Sequence, residues 1–96
     1  MWLKKLTITD FIEEKIWEKH QVTRAEVEEC IINRRSLRLR HPKNPVRSII
    51  LGATDKGRLL KIVLEYHGRG RYFLVTALEM DAKEKRRYGK KIKGHS

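Results

Sequence analysis

The sequence predicts an α+β domain: two amino-terminal helices packed on one face of an antiparallel four-stranded sheet, with a short basic carboxy-terminal helix beside it. Three observations carry this reading. Residues 10 to 35 place apolar side chains at helical spacing behind two helix-start signals. From Ser36 the period falls to two, interrupted by turn sequences, and Asp81 with Glu84 then marks a third helix start.

The first helix is expected to start near Thr9 or Asp10, with Asp10 and Glu13 spaced as a capping box, and to run through Ile12, Ile16 and His20 on one face. The second start is better marked, because Thr23 can cap while Glu26 reaches back and Val22 with Val27 forms a hydrophobic staple. This helix should continue through Cys30 and Ile31 to Arg34 or Arg35, joined to the first at Gln21-Val22. Leu37 and Leu39 alternate with Arg38 and Arg40 as a first strand, and Pro42-Lys43-Asn44-Pro45 turns the chain. Val46 to Ala53 reads as a second strand, followed by the turn Thr54-Asp55-Lys56-Gly57. On the third, Leu60, Ile62, Leu64 and Tyr66 share one face, opposite Lys61, Val63, Glu65 and His67. Leu60, Ile62 and Leu64 should face the helices. Gly68-Arg69-Gly70 reverses the chain into a fourth strand, Arg71 to Leu78. In the last helix Tyr88 and Ile92 stand at i, i+4, Gly89 weakens it by about 1 kcal/mol, and residues 90–96 are expected to form a mobile basic tail.

Length and composition agree with one small domain spanning residues 1–96. The 96 residues are 40% apolar and 36% charged, with 2 prolines and 6 glycines, which argues against disorder and low complexity. The apolar run Ile49-Ile50-Leu51 is far short of the ~20 residues of a membrane span. No apolar stretch follows Lys4-Lys5 to make an export signal, so a cytoplasmic location is expected. Cys30 is the single cysteine and falls on an apolar helix face, the pattern of a small core residue.

The net charge of +11 is unevenly spread: residues 1–32 carry 5 basic and 7 acidic side chains, and residues 33–96 carry 18 and 5. Such a surface attracts polyanions through a sequence-independent, salt-sensitive term. The histidines His20, His41, His67 and His95 have no metal-ligand spacing, and Gly68-Arg69-Gly70 lacks the rest of a phosphate-binding loop. Neither a metal nor a cofactor is expected. What remains is metal-free chemistry on phosphodiesters, which needs cations at the phosphate and a proton acceptor for the attacking 2′-hydroxyl. Arg47, Arg58, Arg71 and Arg87 can supply charge; His20, His67, Glu65, Glu79 and Tyr88 are the proton carriers, and spacing does not choose among them. Plainer readings stand beside these: His20 caps or packs, Arg38 and Arg40 form a solvated strand face, and Tyr88 with Ile92 is a packing stripe. Tyr66, Tyr72 and Phe73 do not form an evident stacking platform.

The string Lys19-His20-Gln21-Val22-Thr23, with Glu26, Val27 and Glu29, is followed in order by Leu51-Gly52, Gly57-Arg58-Leu59-Leu60, Val75-Thr76-Ala77, Met80, Glu84 and Arg86-Arg87-Tyr88. This ordered set resembles the BrnT family of type II toxins, small RelE-like ribonucleases. The resemblance implies a metal-independent endoribonuclease neutralised by an antitoxin of the BrnA type, whose ribbon-helix-helix part binds DNA. Toxin and antitoxin would form a hetero-oligomer that represses its own operon. His20 matches the histidine of the family's Lys-His-Gly-Val motif, Arg58 the Gly-Arg after the turn, and Glu84, Arg87 and Tyr88 a terminal pattern. Gln21 stands where the family has glycine, and Leu78 where it has arginine.

With the resemblance added to the residue chemistry, the expected catalytic set is His20, Arg58, His67, Glu84 and Tyr88. The expected RNA contacts are Arg47, Lys61, Arg71, Lys83, Arg86 and Arg87. The alternative, motivated by Leu78, is a catalytically weakened relative that binds RNA or an antitoxin without cleaving.

Overall fold

A computed structural model describes residues 2–93. The elements are β1 (Lys5–Thr7), α1 (Asp10–His20), α2 (Arg24–Ile32), β2 (Leu37–Arg40), β3 (Arg47–Ala53), β4 (Leu59–Tyr66), β5 (Arg71–Glu79) and α3 (Ala82–Lys93). The α+β class is as expected, with one difference. The sheet has five strands in the order β1-β5-β4-β3-β2, and β1 runs parallel to β5 in an otherwise antiparallel sheet. Three residues, two of them polar, are too few to display a two-residue period. The strand exists because β5 offers a free edge: Leu6 pairs with Tyr72, and the Lys4 and Lys5 N–H groups donate to Gly70 O at 2.7 and 3.2 Å. β1 and β2 therefore lie at opposite edges, and the helix pair between them in sequence crosses one face of the sheet.

Local capping sets the helix ends. Thr9 is the N-cap of α1, its hydroxyl accepting from Ile12 N at 3.2 Å, one residue earlier than an Asp10 cap. Glu13 is released to pair with Arg24 at 3.4 Å. Thr23 and Glu26 form the expected reciprocal box on α2. That helix stops at Ile32, short of Arg34: Asn33 takes an extended backbone (ψ of 124°) and donates its side-chain amide to Ala53 O at 3.1 Å. Between the helices Gln21 is left-handed with φ of 51°, a conformation that favours glycine by about 1 kcal/mol or more. Its side-chain amide offsets part of that strain by donating to Trp17 O at 3.3 Å and Glu18 O at 3.2 Å.

The core lies between the sheet and the helix pair. Ile16, Val27 and Cys30 from the helices and Val22 from the elbow between them meet Ile50, Leu60, Ile62, Leu64, Leu74 and Ala77 from the strands, all buried. α1 lies over β5, and α2 lies over β3 and β4. Tyr66 shares the face of Leu64 but sits beyond the helices and is half exposed. The other face is not a bare polar surface. α3 packs there against β3, and Leu51, Met80 and Tyr88 form a second small core flanked by Leu37, Leu39, Ile49 and Ile92. α3 passes Gly89 and runs to Lys93, while residues 94–96, including His95, lie outside the described residues. No helix in the described residues is long and apolar enough to cross a membrane.

Gly52 sets how closely α2 approaches the sheet. A Cβ there would lie 2.9 Å from Cys30 O and 3.3 Å from Cys30 Cβ, inside contact distance of a helix backbone that cannot yield alone. Gly52→Ala is expected to cost about 1–3 kcal/mol, read as a lowered midpoint in denaturant unfolding. An unchanged midpoint would mean that α2 stands off the sheet.

Candidate nucleic-acid interface

The expected site residues divide into three groups along the sheet. At the carboxy-terminal end of β4, on the face opposite the helix pair, Arg47 lies in register with Glu65. Arg47 Nε donates to Glu65 Oε2 at 3.2 Å, and the other carboxylate oxygen is 3.0 Å from His67 Nε2. The imidazole stacks on Phe73 with ring centroids 4.2 Å apart. The hydrogen bond from His67, and then the Arg47 guanidinium, hold the Glu65 carboxyl below the usual carboxylate range. Glu65 is thus an anion near neutrality and can only accept from Nε2–H; in the neutral ring that tautomer leaves Nδ1 as the proton acceptor. The turn presenting this histidine is left-handed at Gly68, Arg69 and Gly70 (φ of 88°, 56° and 74°). Arg71 stitches it, donating to Gly68 O and His67 O at 3.2 Å each.

In the middle of the same face, Lys61 Nζ lies 2.9 Å from Glu84 Oε2. Glu84 also closes the capping box of α3: its Oε1 accepts from Asp81 N at 3.0 Å, and Asp81 Oδ1 accepts from Glu84 N at 2.8 Å. The carboxylate is therefore engaged on both oxygens. Lys61, Lys83 and Arg87 line an open cleft of about 570 Å³ with Arg40, Asp81 and Glu84. Leu78 is the register partner of Lys61, so the two side chains lie side by side on this face. Arg86 faces away from this cleft, into a hollow on the outer side of α3 with Lys85 and Lys90.

The third group lies at the other end of β4. Arg58 donates to Gln21 O at 2.7 Å, to His20 O at 2.9 Å and to both Glu26 oxygens at 3.1 and 3.2 Å. Helices end with carbonyls that have no partner in the helix, and here one guanidinium satisfies two of them. Burial pushes the Glu26 carboxyl up, but the Thr23 N–H and the Arg58 guanidinium together hold it below its usual value. His20 meets Arg58 through its backbone oxygen, and its half-buried ring makes no hydrogen bond among the described residues. Nine residues of extended chain, roughly 25–30 Å, separate Arg58 from His67, too far for both to touch one phosphate.

Two further groups are held out of reaction by burial. Tyr88 is only 3% exposed, and desolvation pushes its hydroxyl upward, which suits the packing stripe. Burial, followed by the Glu29 charge, pushes the Cys30 thiol up to about 12, far from a reactive thiolate. Among the described residues, no three His, Cys, Asp or Glu side chains come together as a metal-holding group. The feature that sequence reasoning passed over is the pairing of Glu65 with His67. Its signal was present, since two residues apart on a strand share a face.

No family model matches the chain, and no curated protein matches it. Among solved structures, the 1.1 Å crystal structure of the Brucella abortus ribonuclease toxin BrnT superposes with a TM-score of 0.63 over 80% of this chain and 96% of that one. This chain has the BrnT fold. Identity is 11%, so the likeness is one of architecture, and the roles of the side chains follow from their own geometry. On this BrnT-like scaffold the face opposite the helix pair carries His67, Glu65, Arg47, Lys61, Lys83 and Arg87. The His20–Arg58 pair instead ties the helical elbow to β4.

Proposed function

We propose that the chain is the toxin of a type II toxin–antitoxin pair and acts as a metal-independent endoribonuclease. The observation that carries this reading is the Arg47–Glu65–His67 constellation on an exposed sheet face of a BrnT-like fold. His67 Nδ1 takes the proton of a 2′-hydroxyl, the 2′-oxygen attacks the adjacent phosphorus, and the 5′-oxygen leaves, protonated by water. Glu65 stabilises the imidazolium that forms, and Arg47 neutralises charge growing on the phosphate. Lys61, Lys83 and Arg87 hold the neighbouring backbone. An antitoxin partner follows from this reading. A BrnA-type protein with a ribbon-helix-helix part fits the family resemblance.

The test is incubation with a defined RNA in chelator, beside a substrate carrying deoxyribose at the scissile position. Fragments ending in 2′,3′-cyclic phosphate that disappear with the deoxy control are expected. RNA that stays intact while binding tightly at low salt would favour the second reading, an RNA- or antitoxin-binding module. Leu78 in β5 and the engagement of Glu84 by Lys61 and its own helix cap favour that alternative.

A further inference from the structure

The aromatic side chains at the opposite rim of the same sheet end have no part in the proposed chemistry, and the fold arranges them with care. Tyr72 packs edge-on to Trp2 at 5.1 Å between ring centroids, and Tyr66 lies against Tyr72 at 5.2 Å. The Arg38 guanidinium sits 4.1 Å over the Trp2 ring and donates to the Tyr72 hydroxyl at 3.1 Å. Arg38 is exposed, as expected of a solvated strand face, but these two contacts tie its guanidinium to the aromatic cluster. Tyr66 is the outermost member, 45% exposed, and its ring is backed by aromatic groups that are themselves immobilised. A planar ring held this way can stack on a base at little ordering cost.

The neighbouring β2–β3 turn is equally rigid. His41 Nδ1 accepts from Lys43 N and Asn44 N at 3.1 Å each, Asn44 Oδ1 accepts from Val46 N at 3.1 Å, and Pro42 and Pro45 flank the turn. Tyr66 N donates to Val46 O at 2.7 Å, which fixes the tyrosine beside it. An open cleft of about 620 Å³ at this turn is lined by Arg38, Arg40, Lys43 and Arg47, with no carboxylate among its lining residues. Arg47 belongs also to the His67 constellation, so the cleft and the reacting centre share a cation.

We propose that this end of the sheet is a nucleotide subsite, with a base flanking the scissile position stacked on Tyr66 and its phosphate held in the β2–β3 cleft by Arg40, Lys43 and Arg47. The inference rests on RNA being the ligand of the neighbouring face. Cations alone would suit any polyanion, including an acidic protein. The exposed, backed ring beside them selects a ligand with flat bases on a phosphate chain.

Fluorescence anisotropy with the full chain separates these cases, using a short oligoadenylate and an abasic oligonucleotide of the same length. Tyr66→Ala should weaken oligoadenylate binding by roughly tenfold and leave the abasic affinity unchanged. Tyr66→Phe should keep full affinity, while Tyr66→Leu, with bulk but no flat ring, should match the alanine variant. Lys43→Ala should weaken both ligands alike and reduce the salt slope by about one. Equal affinity of Tyr66→Ala and the parent for oligoadenylate, or equal losses on both oligonucleotides, would overturn the subsite; the latter result would point to an acidic protein partner. Base-dependent binding without cleavage would retain the subsite and remove the ribonuclease reading. Cleavage that is indifferent to Tyr66 would do the reverse.

Discussion

His67→Ala is expected to lower RNA cleavage by about 10²–10⁴-fold, the usual worth of a positioned general base, while RNA affinity changes little. The imidazole is the only proton carrier of the expected catalytic set that stands on the cationic sheet face with a ring nitrogen free to accept. Glu84 is engaged on both oxygens, Tyr88 is buried, and His20 is tied to Arg58 at the other end of β4. Glu65→Gln is the informative companion. The amide can still accept from Nε2, so the ring keeps its place, but the charge that stabilises the imidazolium is gone and a smaller fall is expected. Because hydrogen bonding from His67 and the Arg47 charge depress the Glu65 carboxyl, the charged partnership is complete above the ordinary glutamate range and is lost as pH falls through the lowered value. Undiminished cleavage by His67→Ala, with fragment ends unchanged, would remove the histidine from the mechanism.

Arg58→Ala is expected to cost about 2–4 kcal/mol of stability and to leave RNA affinity per folded molecule nearly intact. Removing the guanidinium strips the donor from the His20 and Gln21 carbonyls at the end of α1. It also leaves Glu26, whose side chain is 24% exposed, without its cation. The sign of the pH dependence follows from the depressed Glu26 carboxyl. Its contribution is fully present above the ordinary value of 4.5 and lost as pH falls through the lowered folded value, so the gap between parent and variant should narrow in acid. Bonds to the two backbone carbonyls do not titrate, and part of the gap should persist. Denaturant unfolding at neutral and acid pH measures both quantities. A variant as stable as the parent but inactive on RNA would return Arg58 to the catalytic set.

These two residues show where sequence reasoning reaches and where it stops. Arg58 matches a Gly-Arg pair of the family that the chain resembles. Matching a position in a motif does not distinguish a phosphate clamp from a helix clamp, because a guanidinium serves carbonyls and carboxylates as readily as phosphates. His67 had no family match and was one proton carrier among several. It gains its place from Glu65, two residues back on the same strand face, and from Phe73, which only the β4–β5 pairing brings beneath it.

The helix starts at Thr23 and Asp81, the two-residue period of β2 to β4, the burial of Leu60, Ile62 and Leu64 against the helices, and the excess of cations after residue 32 are all legible in the chain. All of these arise from interactions between residues a few positions apart, or from the amphipathic pattern that burial of one face imposes. Only the folded sheet brings β1 to the free edge of β5, Arg58 at the start of β4 to the elbow of α1 and α2, Lys61 beside Leu78, and Tyr72 and Trp2 behind Tyr66. Each of these depends on strand order and register, which bring together residues far apart in the chain. Hydrophobic period records which face is buried and carries no information on which neighbour will lie beside it.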